Sequence, residues 1–206
     1  PKASDNPYAK EYLEERKLNP EKFYFTDKFK EWTNTKKQTF DSTYRDEPRI
    51  IIPMYDRGKN LIGFQGRSLT HNSVKYITVM LEDSAPKIYG LDTIDEKLPV
   101  YVVEGPFDST FINNSVALCG SDGDLGYLEG SDTILVYDNE PRNREIVGRI
   151  ERCIERNQKV VIWPSNIVEK DINDMVLGGH DVMSVIKLNT YSGLEAKIKF
   201  NTWKKI

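Results

Sequence analysis

The sequence has few of the residues that usually carry thiolate, disulfide or histidine chemistry. Its 206 residues include two cysteines and two histidines. Cys119 and Cys153 lie far apart with no paired spacing, which predicts neither a zinc ribbon nor a disulfide framework. His71 and His180 each stand in a turn-like setting, and this favours solvated loop positions over catalysis. The composition is typical of a protein of a reducing, cytoplasmic environment.

Long hydrophobic runs and a strong net charge are also missing. No stretch approaches the roughly 18 apolar residues of a membrane span. The N-terminus, PKASDNPYAK, has neither an apolar signal core nor a starting Met, so we expect a fragment of a longer chain. Hydrophobic residues make up 38% of the sequence, which is enough for a packed core. The net charge of −3 argues against a generally basic protein that wraps nucleic acid.

The charges are unevenly distributed along the chain. Residues 49–87 contain six basic residues and three acids, whereas residues 100–206 contain 12 basic and 16 acidic residues. This distribution suits a protein that binds phosphates on one side and cations on the other.

The first half of the chain predicts a mixed α+β arrangement. Residues 5–18 predict a short amphipathic helix that begins at Asn6-Pro7. The mixed segment 19–48 contains an aromatic cluster that predicts core packing, with base stacking as the alternative. Three strands are predicted after it, and the first two form a hairpin: Arg49–Tyr55, Leu61–Gln65 and Lys75–Val79.

The second half alternates between strand and helix patterns. This alternation is typical of parallel crossover units and predicts an α/β fold. Strands are predicted at 99–104, 115–119, 133–138 and 159–163, and helices at about 106–113 and 143–157. Two further helices are predicted within 181–206. The helix at 143–157 has one apolar stripe, so we expect its arginines to lie on the solvated face: Arg142, Arg144, Arg149, Arg152 and Arg156.

Carboxylates follow the predicted parallel strands where each strand ends. Glu104 ends the first of these strands, and Pro106 begins a helix that carries Asp108 one turn on. The carboxyl ends of parallel strands form the ligand crevice of an open sheet. Asp138 and Glu140, two residues apart at the end of another strand, are expected to face the same side.

A third acidic group, Asp171 and Asp174, follows Lys170. Carboxylates about 4 Å apart repel by about 4 kcal/mol per pair at an effective dielectric constant near 20. A divalent cation would remove this repulsion, and oxygen ligands favour magnesium or manganese over zinc. Each acid taken alone is equally compatible with a solvated loop residue or a helix cap.

The order of the motifs E-G-P-F-D-S, D-N-E and K-D-I-N-D resembles the TOPRIM fold, which bacterial-type primases and topoisomerases share. The upstream segment I-P-M-Y-D-R-G-K-N-L-I-G-F-Q-G-R, followed by K-Y-I-T and K-I-Y-G-L, resembles the basic RNA-polymerase subdomain of those primases, which topoisomerases lack. The phrases F-Q-G-R, D-N-E-P-R, K-D-I-N-D-M and G-L-E-A-K are more closely similar to the primases of T-even-type bacteriophages, over nearly the whole chain.

The resemblance implies an α/β architecture with a TOPRIM domain preceded by a smaller α+β basic subdomain. The implied divisions are 1–98 for the basic subdomain, 99–180 for the TOPRIM domain and 181–206 for C-terminal helices that pack on the core. The implied function is template-directed synthesis of short RNA primers on single-stranded DNA. The family's N-terminal zinc-binding domain is not expected in this fragment.

The resemblance also assigns roles to individual residues. Glu104 becomes the catalytic glutamate and a metal ligand, with Asp138 and Glu140 as the metal-binding pair; many bacterial enzymes have Asp at the position of Glu140. Asp108, Asp171 and Asp174 become further acids of the Mg²⁺ site, which would also accept Mn²⁺ and contains no zinc. The resemblance assigns nucleotide or template binding to five basic residues: Arg57, Arg67, Lys75, Lys87 and Lys170.

The implied partners are single-stranded DNA, ribonucleoside triphosphates and a hexameric replicative helicase, in the cytoplasm of a host cell and without a membrane. Two alternatives remain open from the sequence. One is a TOPRIM module without catalytic activity that binds single-stranded DNA or the helicase. The other is a TOPRIM nuclease or topoisomerase.

Overall fold

The computed structural model describes residues 1–70, 73–120 and 125–206 of the chain. These residues form two compact units. The first comprises Pro1–Asp92 with Cys119 and Gly120, and the second comprises Thr93–Leu118 and Leu125–Ile206. His71, expected in a loop, lies outside the described residues. Within these ranges, no helix has the length and apolar character needed to cross a membrane.

The first unit is built on an antiparallel sheet in the order β1-β2-β3-β4. Its strands are β1 (Tyr24–Thr26), β2 (Arg49–Tyr55), β3 (Leu61–Ser68) and β4 (Tyr76–Met80), and a two-residue strand β5 (Ile88–Tyr89) follows them. The β-branched run of β2 gives the strand the bounds predicted from sequence. The turn of the predicted hairpin is closed by Asp56, whose Oδ1 accepts the Asn60 N–H at 2.8 Å.

Two predicted strands have different bounds in the structure. β3 continues three residues beyond Gln65, because Gly66 and Arg67 pair with Ile77 and Tyr76 of β4. β4 begins at Tyr76, so Lys75 precedes the strand. Both differences arise from pairing between strands, which the local hydrophobic pattern does not encode.

The described part of the first unit also contains two α-helices, α1 (Pro7–Glu14) and α2 (Phe29–Asn34). The side chain of Asn6 caps α1 by accepting the Ala9 N–H at 2.9 Å, as its position before Pro7 predicts. α1 is shorter than the predicted helix because Lys17 adopts a positive φ of 57° beyond its end. α2 and β1 were not predicted within the mixed segment 19–48.

The aromatic cluster of segment 19–48 packs in the core of the first unit. Phe29 is fully buried, and its ring contacts the rings of Phe40 and Phe64 edge to face, with centroids 5.9 and 6.2 Å away. Phe29 also lies against the backbone of Gly66, where a Cβ atom would be 2.3 Å from the ring. The core interpretation of the aromatic cluster is confirmed for Phe23, Phe25 and Phe29, which are buried.

The second unit contains five strands of a largely parallel sheet, in the order β10-β9-β8-β6-β7. These strands are β6 (Val100–Val103), β7 (Ser115–Leu118), β8 (Thr133–Val136), β9 (Lys159–Val161) and β10 (Thr190–Tyr191). β6 is parallel to β7 and β8, β8 is parallel to β9, and β10 is antiparallel to β9. The predicted parallel crossover arrangement is therefore present.

The described part of the second unit contains five α-helices: α3 (Pro106–Ser109), α4 (Arg144–Glu155), α5 (Ile172–Leu177), α6 (Val182–Leu188) and α7 (Gly193–Trp203). α4 buries the predicted apolar stripe. α6 and α7 are the two helices predicted in 181–206. α3 is shorter than the predicted helix at 106–113, because the chain turns before Asn114, whose φ is 55°.

Candidate active site

Glu104 directly follows the buried strand β6 in the second unit. All four residues of β6 are buried, whereas the side chain of Glu104 is 23% exposed. Gly105 follows, and the Asp108 carboxylate packs close to it, because a Cβ atom at Gly105 would lie only 2.9 Å from Asp108 Oδ2. The strand end therefore brings the carboxyl groups of Glu104 and Asp108 to the same region.

Asp138 lies next to Glu104 because their strands are neighbours. Val103 of β6 pairs with Val136 of β8, and the Asp138 N–H donates to Glu104 Oε2 at 3.4 Å. Burial raises the pKa of Asp138 to about 8, with further contributions from the charges of Glu104, Asp108 and Asp171. Four of the predicted acids therefore interact electrostatically at one end of the sheet.

Arg149 of α4 binds Glu104. Its Nη1 donates to Glu104 Oε1 at 2.9 Å, and its Nη2 donates to Glu145 Oε1 at 2.6 Å. Burial raises the pKa of Glu104, and the Arg149 guanidinium opposes that shift. The prediction that Arg149 lies on a solvated face was wrong. Arg149 is three residues from Ile146, beside the apolar stripe, and this spacing was the signal in the sequence.

Glu140 lies in a turn rather than on a strand. β8 ends at Val136, and the Glu140 N–H donates to the Asp138 carbonyl at 2.9 Å. Alternation along a strand therefore does not orient Asp138 and Glu140, and that reason for placing them on one side was wrong. Glu140 instead pairs with Lys170, whose Nζ lies 3.3 Å from Glu140 Oε1, while Asn143 donates to Glu140 Oε2 at 3.3 Å.

The third acidic group lies at the start of α5. Asp171 caps this helix, since its Oδ1 accepts the Asp174 N–H at 2.8 Å. Asp108 reaches the same helix and accepts the Asn173 N–H at 3.0 Å. Asp108 and Asp171 therefore lie near Asp138. Both carboxylates also accept backbone N–H groups at the start of α5.

Asn139 lies between Asp138 and Glu140 and anchors residues 138–140, which we call the acidic turn. Asn139 donates from Nδ2 to the carbonyls of Ile167 and Glu169 at 3.0 and 3.1 Å, and its Oδ1 accepts the Trp203 Nε1–H at 2.9 Å. The Asn139 backbone N–H donates to the Lys170 carbonyl at 2.7 Å. The acidic turn is therefore held by the segment before α5 and by the end of α7.

The donor chemistry of this site suits a hard divalent cation, because its carboxylate oxygens are the ligands that magnesium and manganese prefer. Burial is the largest cause of the raised pKa of Asp138, and the neighbouring carboxylates add to it, so a cation would relieve the part of the shift that comes from negative charge. No group of three or more His, Cys, Asp or Glu side chains within the described ranges is arranged as a metal site. Arg149 and Lys170 supply the positive charge instead.

The remaining basic candidates belong to the first unit. Arg67 donates from Nε to the Tyr12 hydroxyl at 3.0 Å, and its guanidinium lies 4.9 Å from the centroid of the Tyr76 ring. Lys75 is exposed, with Nζ 5.8 Å from the same ring centroid. Arg57 and Lys87 are also exposed. Arg67 and Lys75 therefore converge on Tyr76.

No protein-family model matches the chain. The DNA primase of Enterobacteria phage T4 is 33% identical over 214 residues, an alignment that covers 99% of this chain and 62% of the phage protein. The chain thus spans less than two thirds of the length of that relative.

Two solved primase structures share the fold. The Escherichia coli primase catalytic core matches with a TM-score of 0.68 and 19% identity, over 97% of this chain and 79% of that one. A DnaG primase catalytic domain bound to single-stranded DNA matches with a TM-score of 0.68 and 20% identity, over 95% and 75% of the two chains. The resemblance inferred from the motifs is confirmed: the chain is similar to the phage T4 DNA primase over nearly its whole length and has the fold of primase catalytic cores.

Proposed function

We propose that this chain is the catalytic core of a DNA primase, which synthesises short RNA primers on a single-stranded DNA template. The observation that carries the proposal is the contact between Glu104 and Asp138. The two acids follow neighbouring parallel strands and are joined by a hydrogen bond of 3.4 Å. The similarity to the phage T4 primase supports the reaction, and the DnaG domain bound to single-stranded DNA supports the template.

The proposed reaction is nucleotidyl transfer. The 3′ hydroxyl of one ribonucleotide attacks the α-phosphate of the next, the bond from that phosphorus to the bridging oxygen breaks, and pyrophosphate leaves. Glu104, Asp138 and Glu140 would hold Mg²⁺ or Mn²⁺, with Asp108, Asp171 and Asp174 as further acids of the site. A bound divalent cation supplies Lewis-acid stabilisation of the charge on the reacting phosphate. Glu104 would also accept the hydroxyl proton.

The basic residues would bind the negatively charged substrates. Arg67 would bind phosphate with the fork of its guanidinium, and Lys75 as a point charge, with Lys87 and Arg57 near the nucleotide or template. Tyr12 and Tyr76 support this role for Arg67, because they hold its guanidinium in one orientation. Lys170 would have to exchange its contact with Glu140 for a substrate phosphate.

The same proposal includes the substrates, the partner protein, the location and the domain bounds of the chain. The chain would use ribonucleoside triphosphates, act with a hexameric replicative helicase and function in the cytoplasm of a host cell. Within it, residues 1–98 would form the basic subdomain, 99–180 the TOPRIM domain, and 181–206 the C-terminal helices.

One observation favours a second candidate, a TOPRIM module without catalytic activity that binds single-stranded DNA or a helicase. Arg149 and Lys170 already neutralise the carboxylates of Glu104 and Glu140 by direct ion pairs. In a protein with no need for a metal, these pairs would compensate the buried charge of the carboxylates without further chemistry.

Primer synthesis tests the two candidates directly. The chain is incubated with single-stranded DNA, labelled ribonucleotides and magnesium, with and without a helicase and a catalytically inactive full-length primase that carries a zinc-binding domain. We expect labelled oligoribonucleotides, and a loss of at least about a hundredfold in Glu104→Gln, because the substitution keeps the shape of the side chain and removes its charge.

Glu151→Gln is the matched control, since Glu151 is an exposed acid of α4. Its product yield should equal that of the unmodified chain. Wild-type yield in Glu104→Gln would remove Glu104 from the mechanism. Binding of manganese without dinucleotide formation, even in the supplemented mixture, would favour the module without catalytic activity.

A further inference from the structure

A cavity of about 580 Å³ lies in the second unit, between the acidic turn and helix α7. Its lining includes Asn139 and Pro141 from the turn, and Trp203 and Lys205 from the end of α7 and the residues after it. Its volume lies within the range of about 300–1,000 Å³ that is typical of pockets for small organic ligands. None of the roles proposed above involves this cavity.

The charge around the cavity is of one sign. Three cationic side chains line it, those of Arg142, Lys199 and Lys205, and all three residues are exposed. None of them forms an ion pair with any residue in the described part of the chain, and no carboxylate lines the cavity. A cavity with three cations and no acidic partner is complementary to an anionic ligand.

The wall between these cations is largely apolar and aromatic. Trp163 and Ile162 are buried beneath it, with exposed fractions of 3% and 4%. Tyr191 is partly exposed, and Lys199 Nζ lies 5.5 Å from the centroid of its ring. An aromatic surface beside a cation is the combination that proteins use to stack a nucleobase and bind the adjoining phosphate.

We propose that this cavity, which we call the α7 cavity, binds the base and phosphate of a nucleotide unit, supplied either by a nucleic-acid strand or by a free nucleotide. Arg142, Lys199 and Lys205 bind phosphate oxygens, and Tyr191 stacks on the base. The inference goes beyond the proposed primer synthesis, because the cavity contains none of the acids assigned to that reaction.

The α7 cavity is directly connected to the acidic turn. Trp203 Nε1–H donates to Asn139 Oδ1 at 2.9 Å, and the Lys205 N–H donates to the Pro141 carbonyl at 2.8 Å. A nucleotide unit in the cavity therefore contacts the same segment that carries Asp138 and Glu140. A nucleotide unit bound here would therefore lie next to the proposed site of chemistry.

The test measures binding in EDTA, without metal and without turnover, so its result does not depend on primer synthesis. A fluorescein-labelled oligothymidylate is titrated with the protein over a range of salt concentrations. The combined variant Arg142→Gln, Lys199→Gln and Lys205→Gln is expected to bind at least about tenfold more weakly, and its salt slope should fall by about 2, close to 0.7 for each lost phosphate contact. Tyr191→Ala is expected to weaken binding by about tenfold.

The matched control is the combined variant Arg144→Gln, Arg152→Gln and Lys197→Gln. It removes the same charge from exposed positions of α4 and α7 that do not line the cavity. Its affinity should stay within about twofold of the unmodified chain. Equal losses in the two combined variants, or none in either, would overturn the proposal.

Tryptophan fluorescence locates the ligand independently. In a Trp32→Phe background the remaining indoles are Trp163 and Trp203, which both line the cavity. We expect the oligonucleotide to quench this emission in the control variant and to leave it unchanged in the cavity variant. Quenching by ATP would identify free nucleotides as a source, and quenching by the oligonucleotide alone would identify a strand. Quenching that persists in the cavity variant, or equal quenching by polyglutamate, would overturn the proposal.

Discussion

Arg149 Nη1 lies 2.9 Å from Glu104 Oε1, so the cation nearest to this carboxylate is a side chain of the protein itself. The two side chains are 22% and 23% exposed, and solvent screens their interaction only in part. A divalent cation at the acidic site would meet a carboxylate that is already paired and a guanidinium that repels it. Arg149 and a bound metal would therefore compete for Glu104.

We predict that Arg149→Gln strengthens the binding of Mn²⁺ by about tenfold, because the substitution removes both the competing ion pair and the repulsion. Titration followed by the electron paramagnetic resonance signal of free Mn²⁺ measures the change. Arg152→Gln, an exposed arginine one turn along α4, should bind Mn²⁺ as the unmodified chain does. Weaker binding in Arg149→Gln would show instead that Arg149 orients Glu104 for the metal.

A second prediction concerns stability and pH. Asp138 has a folded-state pKa of about 8 against an ordinary value of 3.8, so the folded protein holds this proton more tightly than the unfolded chain does. The stabilisation is fully present below about pH 4 and is lost as the pH rises through about 8. Without metal, Asp138→Asn should therefore raise the free energy of unfolding at neutral pH, by about 1–3 kcal/mol, and flatten its decline between these pH values.

Thermal unfolding in EDTA across this pH interval measures the effect of Asp138→Asn. Each kcal/mol corresponds to about 2–4 °C in Tm for a chain of this size. Asp132→Asn is a suitable comparison, because Asp132 is an exposed acid paired with Lys159 at 2.8 Å. A parallel decline in the unmodified chain and in Asp138→Asn would show that the carboxyl of Asp138 does not titrate in this interval.

The basic candidates of the first unit lead to a third prediction. Lys75→Ala should weaken the binding of nucleotide or template by severalfold and reduce the slope of the salt dependence by about 0.7, as expected for the loss of one phosphate contact on a single strand. Fluorescence anisotropy with labelled oligonucleotide and with labelled ribonucleotide separates the two ligands. Lys59→Ala, an exposed lysine in the β2–β3 turn, is the control. Unchanged affinity for both ligands in Lys75→Ala would count against a phosphate-binding role.

The packing of Phe29 on Gly66 yields a fourth prediction. A Cβ atom at Gly66 would lie 2.3 Å from the Phe29 ring, so Gly66→Ala forces the ring or the strand to move and should cost about 1–3 kcal/mol of unfolding free energy. Gly148→Ala should have the opposite effect. Its Cβ atom would lie 3.5 Å from Arg152 Nη1, an ordinary contact, and alanine in a helix is favoured over glycine by about 0.5–1 kcal/mol. Urea denaturation of both variants measures the difference, and equal effects of the two substitutions would contradict this account.

The sequence predicted the strands and helices that depend mainly on side-chain patterns within the segment itself. The β-branched run at Arg49–Tyr55 gave the exact bounds of β2, and the apolar stripe identified α4. The proximity of Glu104 and Asp138 also followed from the sequence, because the ends of parallel strands share one edge. β1 and α2 could not be predicted in the same way. β1 is a strand because Tyr24 pairs with Ile51, a partner distant in the chain.

The details of the site depend on orientation, which the sequence encodes only weakly. The rotation of α4 about its axis decides whether Arg149 reaches solvent or Glu104, and packing on the sheet sets that rotation. Likewise, the turn after Val136 directs Glu140 toward Lys170. Strand periodicity stops applying where the strand stops, so a prediction that extends it two residues further fails.

The backbone pairing of Val103 with Val136 has a consequence for how the site can vary. Adjacent strands lie about 4.8 Å apart in any sheet, whatever side chains they carry. The sheet therefore fixes the separation of Val103 and Val136, the last paired residues before Glu104 and Asp138. Glu140 lies in a turn, where no strand pairing fixes its position. Exchange of glutamate for aspartate at this position would therefore change how far the carboxylate extends into the acidic site.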